Sequence, residues 1–396
     1  MKSAIATLSF GNFLIGTGAF VVAGLTSHIA RDFDVTIAAA AQLLTIYTLT
    51  YALSSPFLTT LASGSARRLA LATAMTLFSA GNLVVAVADS FGVLCAGRVM
   101  AGLGAALFSP LAYALAADLS LPEKRARVLS LVILGLTVAN VVGVPLGAAV
   151  GATDGWRWTF IAVGGLGLAT SLAMLVLLPG TEPGPPRSLA AIGQALSRGV
   201  VVATIAVSFL HYAALFVVFA YLAPIVAAGR AFGPLGVPWL LFLFGCGSIA
   251  GNLIGGWAAD RWDKTRVITV SLVLLVPILA LFPPACGSAT AAGVLALAWG
   301  AVGLAFMAPQ QHRLISLPGQ AAPVLLSLNV SAIYLGGAAG AVIGAAVEHL
   351  GVSAFGFAGA TLAATALLLS ATIAPSPDDS RDRLRPGRGA AAEPSA

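Results

Sequence analysis

The sequence predicts an all-α polytopic membrane protein whose twelve transmembrane helices form two pseudo-symmetric six-helix bundles. Of its 396 residues, 59% are hydrophobic and only 9% are charged, whereas soluble domains contain about 25% charged residues. The chain divides into twelve apolar stretches near the roughly 20 residues that span a bilayer. A glycine-rich pattern recurs about half a chain apart, which is typical of internal repeats.

The predicted spans carry almost no polar faces for water to solvate, which excludes a soluble helical core. The long seventh span is expected to contain a bend or a tilt. The twelve spans cover residues 4–29, 37–61, 70–88, 91–117, 126–151, 158–178, 199–228, 236–258, 266–284, 289–309, 322–346 and 352–374.

Six spans fall in each half of the chain. We assign residues 1–178 to an N-terminal bundle and 199–374 to a C-terminal bundle. Residues 179–198 are rich in Pro and Gly and are predicted to be a cytoplasmic linker. Residues 375–396 contain mainly Pro, Arg, Asp, Gly and Ala, a composition that predicts a disordered cytoplasmic tail.

Lysine and arginine predict the orientation of the spans. With both termini in the cytoplasm, only Arg31, Arg157 and Arg230 face outside, and Arg98 lies inside a span. This asymmetry predicts a multi-pass protein of the cell membrane with cytoplasmic termini. The net charge of +6 therefore reflects orientation and does not indicate nucleic-acid binding. The cytoplasmic cations are Lys2, Arg67, Arg68, Lys124, Arg125, Arg127, Arg187, Arg198, Arg261, Lys264, Arg266, Arg313, Arg381, Arg383, Arg385 and Arg388.

The fifth span has small residues at positions three or four apart. Gly143, Gly147 and Gly151 are each four apart, Gly135 and Pro145 lie in the same span, and residues 329–351 repeat the glycine spacing. Small residues let another helix approach closely within lipid. The glycines alone do not decide between simple packing and a functional motif. The equivalent Gly155 and Gly351 lie 196 residues apart.

These motifs resemble the major facilitator superfamily, specifically its twelve-span drug:proton antiporter branch, over nearly the whole chain. The family's fourth-span motif matches at Arg98, Gly102 and Gly104. Its fifth-span antiporter motif matches at Gly135, Gly143, Pro145 and Gly147. The segments most similar to chloramphenicol-type and sugar-type efflux members are Ser90-Phe91-Gly92-Val93-Leu94, Gly143-Val144-Pro145 and Gly155-Trp156-Arg157.

Two departures from the family pattern affect the expected coupling mechanism. The inner-loop motif is present in the second half at Gly256, Asp260 and Arg261. In the first half, Ser63 replaces its aspartate, and only Arg67 and Arg68 remain. Ala19 follows Gly18 where the family tends to place an acidic residue in the first span.

The resemblance implies a substrate site near the midplane between the halves, alternately open to each side. Arg98 and His211 are the deep ionisable candidates. Arg98 either has a functional role, with its charge facing a cavity or a partner, or its side chain snorkels outward to the membrane surface. His211 either carries a proton or is a neutral histidine bound to a neighbouring helix.

None of the 14 Asp and Glu residues lies mid-membrane. The coupling group is therefore sought at His211, around Arg98, or at Asp32 or Asp34 near the mouth of the first helix. A cationic substrate would require a carboxylate in the cavity. The expected substrate is therefore neutral or weakly polar, and partly aromatic.

Two further sets of residues are predicted from helix position and chemistry. Polar and aromatic side chains suited to bind an amphipathic compound are Asn12, Gln42, Tyr47, Tyr51, Phe108, Asn140, Tyr212, Phe216, Tyr221, Asn252, Trp299, Asn329 and Tyr334. Charges expected to form latches at the cytoplasmic surface, or only to set topology, are Arg67, Arg68, Asp118 and Arg125 in the first half, and Asp260, Arg261 and Lys264 in the second.

The leading functional hypothesis is a proton-coupled exporter of a small amphipathic compound, such as an antibiotic or sugar-like metabolite. The alternative is a sugar or metabolite transporter that works as a symporter or facilitator. A membrane enzyme is excluded because the spans hold no aspartate pair, metal cluster or His-x-x-x-His motif. The chain has no phosphate-binding loop, so the proton gradient and not ATP is expected to drive transport, with no cofactor. The transporter is expected to be a monomer.

Overall fold

The structure, a computed structural model, describes residues 2–62, 66–121, 125–180, 189–317 and 322–373. Every regular element in these ranges is helical. The first half contains α1 (Lys2–Phe20), α2 (Thr26–Asp32), α3 (Ile37–Leu61), α4 (Arg67–Val87), α5 (Phe91–Asp118), α6 (Arg125–Val138), α7 (Val144–Val150) and α8 (Trp156–Leu177). The second contains α9 (Leu189–Leu196), α10 (Gly199–Phe219), α11 (Leu222–Gly229), α12 (Gly236–Arg261), α13 (Lys264–Ala285), α14 (Ala289–Ala305), α15 (Met307–Ile315), α16 (Ala322–Val347) and α17 (Val352–Thr372).

Length and hydropathy identify 11 candidate spans among the described residues, and one of them, Val128–Leu177, is 50 residues long. This stretch contains two spans, because the chain reverses at Gly155, where φ is +102°. The Thr159 hydroxyl donates to the Gly147 carbonyl at 2.7 Å, whereas a straight helix would separate these residues by about 18 Å. The described helices therefore provide twelve candidate membrane spans.

The two halves repeat one packing scheme. In the first half, α1 packs on α6, and α4 packs between α5 and α8. In the second half, α10 packs on α16, and α13 packs between α14 and α17. Gly351, the repeat equivalent of Gly155, also has a positive φ, +93°, immediately before its helix. The repeat predicted from the glycines is thus present in the backbone.

Several spans differ from their predicted bounds. The seventh bends as predicted, with α10 ending at Phe219 and α11 beginning at Leu222. The first is also interrupted, by a 3-10 turn at Val21–Gly24. The tenth continues through α15 to Ile315 instead of ending at residue 309. The predicted linker contains α9, while residues 181–188 and the predicted tail, 375–396, lie outside the described residues.

The halves meet along two helix pairs and at one end. We call the end with the start of α1 the terminal side, and the other end the opposite side. Helix α3 packs on α16, and the α7 region packs on α12. On the opposite side, the Phe20 ring lies 5.8 Å from Phe216 and 6.2 Å from Phe219, between centroids. Aromatic packing therefore joins the halves on the opposite side.

The fifth span owes its glycines to helix packing. A side chain at Gly135 would collide with the Ser9 carbonyl oxygen of α1. Two π-helical segments, Ala139–Gly143 and Gly151–Gly155, flank α7. The first touches the other half, where a Cβ on Gly245 of α12 would lie 2.6 Å from the Asn140 carbonyl oxygen. The small residues thus serve close contacts within and between the halves.

Candidate functional site

Arg98 lies wholly inside the first half, with no exposed surface. Its Nε donates to the Leu43 carbonyl at 3.2 Å, and its Nη1 donates to Gly18 at 2.8 Å. Its Nη2 donates to the Ala19 carbonyl at 3.2 Å, and the guanidinium lies 4.4 Å from the Tyr47 ring centroid. The side chain therefore does not snorkel outward. It joins α1, α3 and α5 as a fixed cation bound by carbonyl dipoles.

A hydrogen-bonded group lies in the same half, nearer the start of α1 than the Arg98 contacts. The Asn12 Nδ2 donates to the Val132 carbonyl at 3.2 Å. The Ser109 hydroxyl donates to Asn12 Oδ1 at 2.9 Å. Asn12, Ser109 and Val132 stand on α1, α5 and α6, and we call them the first-half polar cluster. Both functional atoms of the Asn12 amide have partners, as burial in lipid requires.

Four tyrosines gather where the halves meet. Tyr47 and Tyr51 stand on α3, Tyr113 on α5 and Tyr334 on α16. The Tyr51 and Tyr334 rings stack across the two halves, with centroids 3.9 Å apart. The Tyr51 hydroxyl interacts with Ser109 and with Tyr334, while the buried Tyr47 hydroxyl has no hydrogen-bond partner in the described structure. We call these four residues the tyrosine cluster.

The same helix pair carries further contacts between the halves. The Gln42 Nε2 donates to the Ala341 carbonyl at 3.4 Å, and the Thr45 hydroxyl lies 3.5 Å from the Ala338 carbonyl. Within the second half, Tyr221, which follows α10, donates to the same Ala341 carbonyl at 3.0 Å. The tyrosine cluster is thus continuous with a polar seam along α3 and α16.

The second half contains a larger polar group on α10, α15 and α16. The Gln310 Nε2 donates to the Thr204 carbonyl at 2.7 Å and to the Ser208 hydroxyl at 3.0 Å. Ser208 donates to Asn329 Oδ1 at 2.6 Å. We call Thr204, Ser208, Gln310 and Asn329 the second-half polar cluster. All four are at most 2% exposed.

His211 lies one helical turn beyond Ser208 on α10 and is fully buried. Its Nε2 is 2.9 Å from the Gly303 carbonyl. Its ring stacks on Phe306 at 4.0 Å between centroids, with 13° between the planes. Its Nδ1 has no hydrogen-bond partner among the described residues, and neither does Gln310 Oε1. The contact of Nε2 fits the prediction of a neutral histidine bound to a neighbouring helix. That prediction does not account for Nδ1, which has no partner among the described residues.

Phe108 and Trp299, predicted as lining residues, lie in the cores of their own halves. Phe108 is 0% exposed and packs over Gly11 within the first half. Trp299 is 1% exposed and lies among Phe244 and Phe282 in the second-half core. Aromatics facing the core, the cavity or lipid look alike in sequence, so periodicity alone did not separate them.

The remaining predicted lining residues occupy separate places. The Tyr212 hydroxyl lies 2.9 Å from Met307 Sδ, and Phe216 joins the aromatic contact on the opposite side. Asn140 lies in the first π-helical segment, facing α12. Asn252 is half-buried on α12. The structure therefore does not bring these four residues together with the tyrosine cluster.

On the terminal side, the first half forms an ion pair between Arg67 and Asp118, which joins the start of α4 to the end of α5. Arg68 is exposed, and the side chain of Arg125 lies outside the described residues. In the second half, Asp260 is exposed at the end of α12, and Arg261 lies 4.6 Å from the Trp257 ring centroid. The latch function of both sets stays a prediction.

The predicted motif residues of the fourth and fifth spans serve close packing. A Cβ on Gly102 would lie 3.0 Å from the Tyr47 carbonyl oxygen, and one on Gly147 would lie 2.8 Å from Val21. One on Gly143 would collide with the Thr17 hydroxyl, and Pro145 is buried. Gly256, in contrast, faces open space.

On the opposite side, Asp32 accepts hydrogen bonds from Trp156 Nε1 at 2.7 Å and from Arg157 Nη1 at 2.9 Å. Arg157 also donates to the Ala88 carbonyl at 3.1 Å. These contacts tie α2, the α4–α5 turn and α8 together. Nearby, burial and the Arg31 charge lower the pKa of His28 below its ordinary value of 6.5.

Sequence reasoning missed Ser109, Ser208 and Gln310, and it misplaced Arg313. Because the predicted tenth span ended at residue 309, Gln310 and Arg313 were assigned to a loop. Arg313 is in fact 3% exposed and donates to the Ser370 hydroxyl of α17 at 2.8 Å. A hydropathy window cannot separate a polar helix end packed inside protein from a loop in water.

No group of three or more potential metal-binding side chains occurs in the described ranges. The candidate site consists of a tyrosine-lined seam between two six-helix halves, with one polar cluster in each half beside it. This arrangement suits reversible binding of a small molecule between two bundles.

Comparisons with known proteins agree with this architecture. Residues 8–341 match the family described as the Major Facilitator Superfamily. The chain is 33% identical over 371 residues to "Inner membrane transport protein YdhP" of Escherichia coli K12, covering 92% of this chain and 94% of that protein. It is 28% identical to "Uncharacterized MFS-type transporter YbcL" of Bacillus subtilis, covering 93% and 95%.

Two solved structures share the fold. A D-xylose-proton symporter gives a TM-score of 0.75 at 17% identity, covering 95% of this chain and 98% of that chain. A bacterial homolog of the human lysosomal transporter Spinster gives 0.74 at 14% identity, covering 93% and 94%. The family match and the YdhP relationship together establish the class: this chain is a multi-pass membrane transporter, not an enzyme, and it belongs to the major facilitator superfamily.

Proposed function

We propose that this transporter exports a small, uncharged, amphipathic compound with a ring system, in exchange for protons. The observation that carries the proposal is the Tyr51–Tyr334 stack, 3.9 Å between centroids, across the seam between the halves. Stacked tyrosines offer flat apolar faces and hydroxyl groups that hydrogen-bond. A planar ring with polar substituents matches both features.

The charges near the seam support an uncharged substrate. Arg98 is the charged side chain nearest the tyrosine cluster in the described structure, and it is cationic. No Asp or Glu occurs within the sequences of α1, α3, α10 or α16. A permanent cation would thus meet Arg98 without a compensating carboxylate, at a cost in a low-dielectric site.

The proposed setting follows the distribution of Lys and Arg. We place the terminal side in the cytoplasm of a cell membrane, with both termini there, and we propose a monomer. The aromatic contact of Phe20 with Phe216 and Phe219 then closes the outward side. In this arrangement the tyrosine seam is approached from the cytoplasm, as an exporter requires.

The test is efflux from cells that overexpress the protein, over a panel of neutral chloramphenicol-like and permanently cationic compounds, with and without a protonophore. Protonophore-sensitive export of a neutral aromatic compound is expected. Tyr334→Leu should reduce it at least about tenfold, because the stack disappears. Phe357→Leu is the matched control, since this aromatic on α17 is 62% exposed. A pH-independent preference for cations would contradict the proposal.

A second candidate is a gradient-independent facilitator or a symporter for a sugar or metabolite. The absence of Asp and Glu within the spans favours a facilitator, and four tyrosine hydroxyls suit a polyhydroxylated substrate. Equal movement of a neutral sugar in both directions, unaffected by the protonophore, would replace export with this function.

A further inference from the structure

The structure separates the four candidate groups for the proton of the antiport cycle. Asp32 is bound by Trp156 and Arg157 at the opposite surface. Asp34 is exposed on the same side, ahead of α3. Arg98 is a fixed cation bound by three carbonyls. His211 alone among the four combines deep burial with a free basic nitrogen in the described structure.

We propose that His211 Nδ1 is the proton-binding atom of this transporter and that Gln310 is its positioning residue. Gln310 Oε1 accepts a hydrogen bond from one water molecule, which in turn accepts the hydrogen bond of the protonated ring. The inference rests on the proposed proton-driven export and assigns that proton to a site in the second half.

The tautomer of His211 follows from its partner. A backbone carbonyl only accepts hydrogen bonds, so the Nε2 atom 2.9 Å from the Gly303 oxygen carries a hydrogen. In the neutral ring, Nδ1 then has a lone pair and no hydrogen. Among the described residues it has no partner, which is costly for a buried polar atom. A proton would turn this acceptor into a donor.

The amide of Gln310 is oriented by the same reasoning. The Thr204 carbonyl, 2.7 Å away, accepts from Nε2, so Oε1 is the other end of the amide. Oε1 is also buried without a partner in the described structure. The polar group thus contains two unused acceptors, Nδ1 and Oε1, and lacks a donor. One added proton supplies the missing donor.

Two contacts place the two side chains on neighbouring turns of α10 and of the helix that begins after Phe306. Ser208 bonds to Gln310, and His211 stacks on Phe306. Ser208 and His211 are three residues apart, and Phe306 and Gln310 are four apart, so each pair lies about one turn, or 5.4 Å, along its helix. The Gln310 amide and the imidazole are therefore offset by about one helical turn along facing helices, and their two unused acceptors are not bonded to each other.

The surroundings can hold an imidazolium. Removing a cation from water is costly in the membrane, so partners must replace the water. The Gly303 carbonyl faces one nitrogen, and the face of Phe306 lies 4.0 Å away in cation–π geometry. The first half holds Arg98 in the same manner, with carbonyls and the face of Tyr47.

The charged and titratable side chains on the helices around α10 are few. Helices α10, α14, α16 and α17 contain no Asp, Glu, Lys or Arg. Tyr212 packs edge-on against His211 at 5.3 Å. The titratable or charged side chains on α10 and the helices packed against it are Tyr212, Tyr334, His312, Arg313, Lys264 and Arg266.

The site also connects to the tyrosine cluster. Ser208 joins Gln310 to Asn329 of α16, and the same helix carries Tyr334, which stacks on Tyr51. In each cycle a proton from water bonds to Nδ1, giving the imidazolium, and later returns to water on the other side. Protonation alters the hydrogen bonds of α10 and α15 against α16, the helix that contributes to the substrate seam.

The test is nitrogen NMR of the full-length protein in lipid nanodiscs, with ¹⁵N-labelled histidine and no transported compound. The chain contains 4 histidines, which single His→Gln variants assign. We expect a His211 Nδ1–H signal at about pH 5.5 that is absent at about pH 8.5. Gln310→Leu should abolish it, whereas Gln311→Leu, the half-buried neighbour, should leave it unchanged.

A His211 ring that stays neutral at about pH 5.5 overturns the proposal, and so does a signal that survives Gln310→Leu. Export is then measured with a neutral compound from the efflux panel. His211→Gln should reduce protonophore-sensitive export of this compound against its gradient at least about tenfold. Efflux of the compound down its gradient should be retained. Protonophore-sensitive export without the His211 signal rejects this site and keeps the proposed function. The signal with protonophore-insensitive export rejects antiport itself.

Discussion

Both halves of the transporter bury a nitrogen base against an aromatic ring and backbone carbonyls, but the two bases differ in kind. Arg98 in the first half uses three carbonyls of α1 and α3 and is charged at any physiological pH. His211 in the second half uses one carbonyl and retains an unpartnered nitrogen in the described structure. The repeat thus provides one scaffold for a structural cation and one for a titratable group.

The polar clusters differ in the same sense. Asn12 and Ser208 are 196 residues apart, as are Gly155 and Gly351, so they occupy equivalent positions on α1 and α10. In the first-half polar cluster, both ends of the Asn12 amide are bonded. In the second-half polar cluster, Gln310 Oε1 is not bonded to any described residue. The Asn12 amide of the first-half polar cluster is saturated, while the second-half polar cluster can accept a donor.

The largest expected effect comes from removing the fixed cation. Arg98→Ala leaves the Gly18, Ala19 and Leu43 carbonyls without their donor inside the membrane. We expect the free energy of unfolding in detergent to fall by at least about 3 kcal/mol and transport to be lost. Arg98→Lys should recover only part of the stability. It keeps the positive charge, but one ammonium cannot match the guanidinium geometry. Unchanged stability in Arg98→Ala would contradict the structural role of this cation.

The next effect compares the two polar clusters. Asn12→Ala removes the donor to Val132 and the acceptor of Ser109, so we expect a loss of about 1–3 kcal/mol in the free energy of unfolding. Asn329→Ala is the matched variant. It should cost less, because the Ser208 hydroxyl keeps its bond from Gln310. Denaturant titration of both variants in detergent measures the difference, and an equal or larger loss for Asn329→Ala would reverse the comparison.

The fold was largely predictable from sequence, but the candidate site only in part. Span number and the repeat follow from the sparse charge, the Lys and Arg asymmetry and the one glycine-rich fifth helix in each half. Arg98 stood out because a charge deep in a span needs partners. Its actual partners are carbonyls of α1 and α3, whose nearness depends on the packing of helices distant in sequence.

The second-half polar cluster shows the limit most clearly. Ser208 looks like an ordinary helix residue, and Gln310 lies beyond the predicted end of its span. Their importance comes from the register of α10 against α15, set by contacts such as Ser208–Gln310 at 3.0 Å. Phe108 and Trp299 illustrate a related limit, since apolar periodicity in a membrane helix does not distinguish lipid from protein neighbours.

A smaller effect is expected at the terminal side, where the halves also differ. Arg67 and Asp118 are paired in the first half, whereas Asp260 of the second half is exposed. Asp118→Asn should slow transport several-fold by weakening one alternating state, with little change in stability, because exposed pairs contribute about 0–1 kcal/mol. Asp260→Asn should slow it less. Transport rate and compound binding are measured together, and equal loss of both in Asp118→Asn would exclude a gating role.

The smallest effect concerns the opposite side, where α2 carries His28 but its repeat equivalent α11 contains no ionisable side chain. Burial and Arg31 lower the pKa of His28 in the folded protein. Below about pH 6.5 the unfolded chain therefore binds more protons at this residue than the folded protein. Stability should fall as pH decreases through this window. His28→Gln should reduce the loss of thermal stability between about pH 7.5 and 5.5, whereas His349→Gln, exposed on the same side, should not. An identical pH dependence in His28→Gln and the unmodified protein would show that the asymmetry between α2 and α11 has no effect on folding.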